Sequence, residues 1–180
     1  MTSEFVHLHN HTDYSLLDAA QSVELMCDRA AELGMDSIAV TEHGNLFSMI
    51  PFYKEARKKG IKPIIGCEVY VAIEDHQKKQ KIPGQGIGYH HLVLIAQNET
   101  GYHNLIKLVS IGYLKGFYYK PRVDKNLLKE YNKGLICTSG CLKGEVTEYA
   151  YQNKYEKAKK AAIQYNEIFP NRYFLEIQNH

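Results

Sequence analysis

Short apolar runs alternate along the chain with amphipathic segments, and this alternation limits the possible folds more than any other feature of the sequence. The runs are rich in valine and isoleucine and have the length of buried strands; they cover residues 6–9, 37–41, 63–71, 91–96, 135–138 and 172–178. Helix patterns occupy residues 22–33, 51–59, 99–114, about 125–134, and 155–169. This order predicts a parallel sheet with helices outside it, either open or closed as a barrel.

Cap and turn residues place the ends of several helices. Gly34 and Gly60 follow the first two helix patterns, and a glycine after a helix commonly adopts the left-handed conformation that ends it. Asn98 and Asp124 precede the third and fourth patterns and belong to the residue types that cap helix N-termini. These four residues predict helix boundaries independently of the apolar pattern.

Length and charge bound the class of protein. The chain has 180 residues, of which 44% are hydrophobic, and this is enough to bury one core. A complete (β/α)₈ barrel takes about 250 residues, so we expect residues 1–180 to be a single domain that forms only part of a barrel. Lys plus Arg number 22 against 20 Asp plus Glu, so any polyanion must be bound by a local site.

Two features predict a cytoplasmic protein. No apolar run reaches the roughly 18 residues that span a bilayer, and the first residues do not resemble a secretion signal. The four cysteines lack a C-x-x-C pair, which indicates reduced thiols rather than a disulfide framework or a zinc ribbon.

Nine histidines are unusually many for this length, and three of them alternate with other residues near the start of the chain. Residues two apart on a strand project to the same side, so His7, His9 and His11 are predicted to converge on one point. Convergent imidazoles suit a transition metal. Asp18 follows in the next loop and is a further candidate ligand.

Other candidate ligands follow at successive strand ends. Glu42 and His43 end the second predicted strand, and Glu68 lies near the end of the third. His90 and His91 open the fourth strand, where neighbouring side chains point to opposite faces, so only one of them should face the site. The recurrence of such residues at strand ends favours one shared site, because the active-site loops of α/β barrels meet there.

Two cysteines flank a short loop after the fifth predicted strand. Cys137 lies within the apolar run and is predicted to be an inert core residue, whereas Cys141 lies on the loop and is placed to bind a metal. The whole set exceeds the four ligands of one tetrahedral zinc and predicts two or three ions that share carboxylates. Phosphoester hydrolysis is the leading chemistry for such a site, while metal-dependent deamination and amide hydrolysis remain open.

Two polar segments are weaker candidates for phosphate contacts. Lys120 and Arg122 lie beside two tyrosines and are candidates for holding a nucleic-acid backbone; the alternative is a solvated loop with ordinary tyrosine packing. Residues 74–88 form a basic, glycine-rich loop, which is either a solvated mobile loop or a loop that faces phosphate.

Several motifs together resemble the PHP (polymerase and histidinol phosphatase) family, and the resemblance spans essentially all 180 residues. The motifs are FVHLHNHTDYSLLD at 5–18, TEHGNLF at 41–47, GCEVYV at 66–71, YHHLVLIA at 89–96, GYHNL at 101–105, GFYYKPR at 116–122, TSGCL at 138–142 and FLEIQNH at 174–180. The last several resemble the branch of the family found in bacterial replicative DNA polymerases.

The resemblance implies an incomplete (β/α)₇-type TIM-like barrel and a specific ligand set. The implied metal ligands are His9, His11, Asp18, His43, Glu68, His91 and Cys141. Glu68 is implied to bridge metals, and catalytic roles fall to Glu68, Asp18 and His43. His7 stands where many relatives have aspartate, and Glu42 stands where aspartate is usual. Each of them therefore either binds a metal ion or contacts a residue that does. The family's closing Asp-x-His motif is expected beyond His180.

The resemblance also implies an activity and partners. The intact protein would be a DNA-directed DNA polymerase, and this domain would be a 3′-5′ exonuclease acting on single-stranded 3′ ends, with other replicative holoenzyme subunits as partners. Imidazole and thiolate favour zinc, while the carboxylates admit manganese or magnesium. The alternatives are a metal-stabilised scaffold that docks a proofreading subunit, and a stand-alone histidinol-phosphate phosphatase. The retained ligands favour the catalytic version.

Overall fold

A computed structural model describes residues 5–84 and 88–178 of the chain. Strands and helices alternate within these residues, which confirms a mixed α/β fold. In chain order the elements are α1 (Val23–Glu32), β1 (Ser37–Val40), α2 (Met49–Lys58), β2 (Lys62–Ala72), β3 (Tyr89–Ala96), α3 (Glu99–Leu114), β4 (Arg122–Val123), α4 (Lys125–Glu130), β5 (Leu135–Thr138), α5 (Glu145–Tyr151), α6 (Tyr155–Ile168) and β6 (Tyr173–Phe174).

The six strands of the described residues form one mixed sheet in the order β1-β2-β3-β5-β6, and β4 also pairs with β2. The prediction of a purely parallel sheet was wrong. β2 pairs with β3 in antiparallel register, as does β3 with β5, while β1, β4 and β6 pair in parallel. A parallel neighbour needs a crossover connection, usually a helix, and no helix is described between β2 and β3.

The segment at residues 6–9 is not a regular strand, contrary to the prediction. Its backbone follows β1, because Ala39 N donates to His7 O at 3.0 Å and Thr41 N donates to Asn10 O at 2.8 Å. Three residue steps on the first segment therefore match two steps on β1. This mismatch breaks the alternation of side chains on which the convergence of three histidines was predicted.

The cap residues mark the helix ends that the sequence predicted. The side chains of Asn98 and Asp124 accept from Gly101 N and Leu127 N at the starts of α3 and α4, and Ser22, which was not predicted as a cap, caps α1 in the same way. Gly34 has a φ of 69° just after α1. The short elements β4 and α5 were not predicted, and the last strand covers only two residues of the predicted 172–178.

Packing on one face of β2 determines what the other face presents. Cys67, Val69 and Val71 belong to a buried cluster that joins β2, β3 and β5 to α3, α4 and α6. The alternating residues Glu68 and Tyr70 consequently project to the opposite face of the sheet. A second cluster packs α1 and α2 against β1. Both strands that neighbour β2 along the sheet, β1 and β3, therefore belong to a buried cluster. In the described part of the chain, no helix is long and apolar enough to cross a membrane.

Candidate metal centre

The buried carboxylate of Glu68, on the face of β2 opposite the larger cluster, is the centre of the site. Its Oε2 atom faces three imidazoles: Nε2 of His9 at 3.4 Å, Nε2 of His11 at 3.2 Å and Nδ1 of His43 at 2.8 Å. His9 and His11 come from the irregular first segment. His43 lies just beyond β1, where its backbone forms an isolated parallel β-bridge with that of Glu68. Two chain segments thus supply the nitrogen atoms on this side of the carboxylate.

The other oxygen of Glu68 faces a different pair of groups. Its Oε1 atom lies 2.8 Å from Nδ1 of His91 in β3 and 3.3 Å from Sγ of Cys141, in the loop after β5. Sγ of Cys141 is also 3.5 Å from Nδ1 of His91. Cys137 is fully buried in the apolar core, as predicted, and takes no part in these contacts.

Asp18 completes the group at its open side. Its Oδ2 atom contacts Nε2 of His43, and its side chain is largely exposed. The structure therefore brings together all seven residues that the resemblance assigned to one site, namely His9, His11, Asp18, His43, Glu68, His91 and Cys141.

The two neighbouring histidines of β3 point to opposite faces, as strand alternation predicted. His91 contacts Glu68, whereas Nδ1 of His90 lies 3.0 Å from Oε2 of Glu148 in α5. His7 is exposed, and its described hydrogen bonds involve only its backbone carbonyl, which accepts from Ala39 N and from the side chain of Asn10. The predicted convergence of His7 with His9 and His11 was wrong, because the irregular backbone separates them.

Glu42 acts behind the site rather than in it. Its buried carboxylate accepts from the backbone N–H of Thr12, from the hydroxyls of Thr12 and Ser15, and from the hydroxyl of Ser48 at 2.7 Å. The hydroxyl oxygen of Ser15 in turn accepts from His43 N at 3.0 Å. Glu42 thus holds the loop that leads to Asp18 against the start of α2.

Sequence reasoning missed Glu176, which follows β6. Its Oε1 atom lies 2.6 Å from Nδ1 of His9, its Oε2 atom accepts from the hydroxyl of Thr138, and its backbone N–H donates to Ser139 Oγ at 2.9 Å. It orients His9, whose other ring nitrogen faces Glu68. The available signal was its position near the end of the last predicted strand, the same placement that singled out Glu68.

The candidate nucleic-acid contact at Arg122 was wrong. Arg122 is buried in β4, and its guanidinium donates to the backbone carbonyls of Gly116, His76 and Lys78. Lys120 is exposed, with its Nζ 5.3 Å from the ring centroid of Tyr70. It therefore remains a candidate for a nucleic-acid contact.

The loop at residues 74–88 is anchored near its beginning rather than solvated throughout; residues 85–87 lie outside the described residues. Nδ1 of His76 lies 2.5 Å from Oδ2 of Asp124, and His76 N donates to the same oxygen at 3.1 Å. Asp75, His76 and Asp124 could together hold a cation, but Asp124 already caps α4. This group fixes the loop to β4 and α4.

The ionisable groups of the metal centre strongly shift one another's pKa values. Burial disfavours the carboxylate of Glu68, but contacts with His11, His43, His9 and His91 outweigh burial and hold its pKa well below the ordinary value. Burial also disfavours the charged form of His9, yet Glu176 and Glu68 raise its pKa to about 9. The site concentrates buried charge that a divalent cation would balance.

The donor atoms fit divalent metal ions. Two of them, Nδ1 of His43 and Oε2 of Glu68, are buried without a hydrogen-bond partner of correct geometry among the described residues. Two sets of three donors have atoms within 4.8 Å of one another, His9 with His11 and Glu68, and His43 with Glu68 and His91. Burial and Glu68 raise the pKa of Cys141 to about 11, and a cation would favour its thiolate.

The chain belongs to the PHP domain family, whose model matches residues 7–180. Three relatives are DNA polymerase III alpha subunits. Those from Borreliella burgdorferi, Helicobacter pylori and Thermus aquaticus are 50%, 46% and 44% identical and cover 99%, 98% and 98% of the chain. The chain spans about 15% of the length of each of these relatives.

Proposed function

We propose that the chain is the PHP region of a replicative DNA polymerase alpha subunit, and that its metal centre hydrolyses phosphodiesters as a 3′-5′ exonuclease. The observation that carries this proposal is the pair of three-donor sets that share Glu68. Two ions bridged by one carboxylate are typical of phosphoesterase sites. The similarity of nearly the whole chain to polymerase subunits supports DNA as the substrate and other replicative subunits as partners.

The donor set favours zinc or manganese over magnesium, because most donors are imidazole nitrogens and one is a thiol sulfur. Two or three such ions, when bound, lower the pKa of a coordinated water and neutralise charge on the phosphate. A water oxygen adds to phosphorus, and the bond to the 3′ oxygen breaks. That oxygen takes up a proton and becomes the 3′-hydroxyl of the shortened strand, while a nucleoside 5′-monophosphate is released. Glu68 holds the two donor sets together, while Asp18 and His43 line the cavity that a substrate enters.

One observation favours a second candidate, a metal-stabilised scaffold that docks a separate proofreading subunit. The donors come from distant parts of the chain, since His9 and Cys141 converge on the same carboxylate from the first segment and from the loop after β5. An ion bound there would tie these segments together and contribute to folding free energy whether or not it catalyses hydrolysis.

The test measures release of 3′ nucleotides from single-stranded DNA by the intact protein, loaded with manganese or zinc, together with its rate of polymerisation. We expect Glu68→Gln to reduce nucleotide release by on the order of 10²-fold or more and to leave polymerisation unchanged. Bound metal without nucleotide release from the unmodified protein would contradict the exonuclease and favour the scaffold. Hydrolysis of histidinol phosphate but not of DNA would favour the phosphatase.

A further inference from the structure

A cavity of about 500 Å³ opens directly beside the metal centre, and Asp18, His43 and His91 form part of its wall. Pockets that hold small ligands have volumes of roughly 300–1,000 Å³, so this cavity has room for one nucleotide. A group bound in the cavity lies against the donor atoms of the centre. The rest of the wall therefore determines which substrates reach the metal ions.

Aromatic rings form much of that wall. They belong to Tyr14, Tyr70, Tyr89, Tyr113, Phe117 and Tyr119. Tyr70 is buried, but Tyr14, Tyr113, Phe117 and Tyr119 are exposed, and Tyr119 is the most exposed of them at 62%. Rings that only complete a core bury their faces, whereas these rings present surface to the cavity. Exposed ring faces of this kind stack on the bases of single-stranded nucleic acids.

Two lysines border the same cavity. Lys120 and Lys143 are both exposed, and neither is paired with a carboxylate within residues 5–84 and 88–178. Nζ of Lys120 lies over the ring of Tyr70, which itself contacts the imidazoles of His43 and His91. Positive charge is thus held next to the metal centre, where it complements a phosphate group.

Backbone conformation also distinguishes this cavity. Apart from glycines, four residues among those described have positive φ, and two are asparagines, which tolerate the left-handed region. The other two are Leu17 with φ 66° and Tyr119 with φ 60°, and both line the cavity. Left-handed conformation is costly for such side chains, and residues held in it cluster at binding and active sites.

We infer that this cavity binds the terminal nucleoside of a single-stranded nucleic acid, with its base stacked on the exposed rings around Tyr119. The adjoining phosphodiester then lies between the lysines and the metal centre. This inference rests on the proposed function and adds how the substrate is selected. Every base has a face that can stack, so binding is independent of sequence. A paired terminal base is excluded because its partner base does not fit in a cavity that has room for one nucleotide.

The test is photo-cross-linking of the intact, metal-loaded protein to a single-stranded oligonucleotide whose 3′-terminal base is 5-iodouracil and whose last linkage is a phosphorothioate, which slows removal of that nucleotide. Mass spectrometry identifies the cross-linked peptide. We expect a cross-link within the cavity, at Tyr119 or a neighbouring ring, and none at that place with a blunt duplex. Tyr119→Gly should reduce its yield roughly tenfold, because it removes the stacking ring. Tyr119→Phe should retain the yield, because it retains the ring.

Two controls make the result specific. Glycine adopts positive φ without strain, so Tyr119→Gly removes the ring while the backbone keeps its conformation. Tyr155 is 64% exposed and does not line the cavity, so Tyr155→Ala should leave the cross-link unchanged.

The inference is overturned if no cross-link falls within the cavity, or if Tyr119→Gly leaves the yield unchanged. Cross-linking does not require hydrolysis, so the two proposals can fail separately. A cavity cross-link without nucleotide release would refute the exonuclease alone. Nucleotide release without a cavity cross-link would refute this inference alone.

Discussion

The imidazole of His43 is stacked on that of His11, with ring centroids 4.0 Å apart and an interplanar angle of 13°. Both rings also direct a nitrogen towards Oε2 of Glu68. Each ring therefore restricts rotation of the other, and the donor atoms are held in place by protein contacts alone. Such preorganisation lowers the cost of ordering ligands when a metal binds.

Replacing the shared carboxylate should lower the number of bound metal ions. In Glu68→Gln, a neutral amide replaces the carboxylate that both donor sets contain, so we expect at least one ion fewer per chain by elemental analysis. Glu148→Gln is the matched control, because Glu148 contacts His90 on the other face of β3. Equal metal content in Glu68→Gln and the unmodified chain would refute a shared ligand.

Removing metal should destabilise the chain. Binding to the folded state alone stabilises by about 2.7 kcal/mol when free metal is 100 times the dissociation constant. We therefore expect a chelator to lower the melting temperature of the 180-residue chain, as measured by circular dichroism. The double variant His9→Ala/His11→Ala should respond little to the chelator, since it lacks two donors of one set. An equal response would place the metal elsewhere.

Glu42 should matter for stability through its hydrogen bonds. Its buried carboxylate accepts from Thr12, Ser15 and Ser48, and an amide in its place would direct donor hydrogens at other donors. We expect Glu42→Gln to lower the free energy of unfolding by about 2–3 kcal/mol in urea titrations. As a control, Glu74→Gln removes an exposed carboxylate that pairs with Lys78, and it should change the free energy of unfolding by less than about 1 kcal/mol.

Asp124 should make stability depend on pH in the acid range. Burial raises its pKa, but hydrogen bonds from Leu127 N and from His76 outweigh burial and leave the pKa below its usual value. The carboxylate therefore stabilises the fold above the unfolded pKa of about 4, and this contribution is lost as the pH falls through the folded value. Urea midpoints from pH 6 down to pH 2.5 should fall less steeply in Asp124→Asn. Parallel curves would contradict this prediction.

Local signals in the sequence were reliable because the interactions that produce them are local. Asn98 and Asp124, which were predicted as caps, hold α3 and α4 through hydrogen bonds that reach only three residues ahead. Strand alternation alone predicted that only one of His90 and His91 faces the site, and the family resemblance selected His91. These predictions needed no knowledge of the tertiary structure.

The errors arose where tertiary contacts decide. Arg122 resembles a surface cation in sequence, but it is buried, and its guanidinium donates to the nearby carbonyl of Gly116 and to the distant carbonyls of His76 and Lys78. Glu176 reaches His9 only because β6 pairs with β5, which the sequence pattern does not specify. The exclusion of His7 depends on an irregular register against β1, and a periodicity argument assumes that the register is regular.

The left-handed residue Leu17 gives a test of strain that is independent of any ligand. Leu16 and Leu17 are both almost fully exposed, but only Leu17 has positive φ. Glycine in either position increases the entropy of the unfolded chain and so lowers the free energy of unfolding by about 0.5–1 kcal/mol. Only Leu17→Gly also removes the cost of a left-handed side-chain-bearing residue, which is about 1–2 kcal/mol. We therefore expect Leu17→Gly to be more stable than Leu16→Gly by about 1 kcal/mol or more in urea titrations. Equal stabilities would show that the backbone at Leu17 is not held in the left-handed region, and one of the features that distinguish the cavity would be lost.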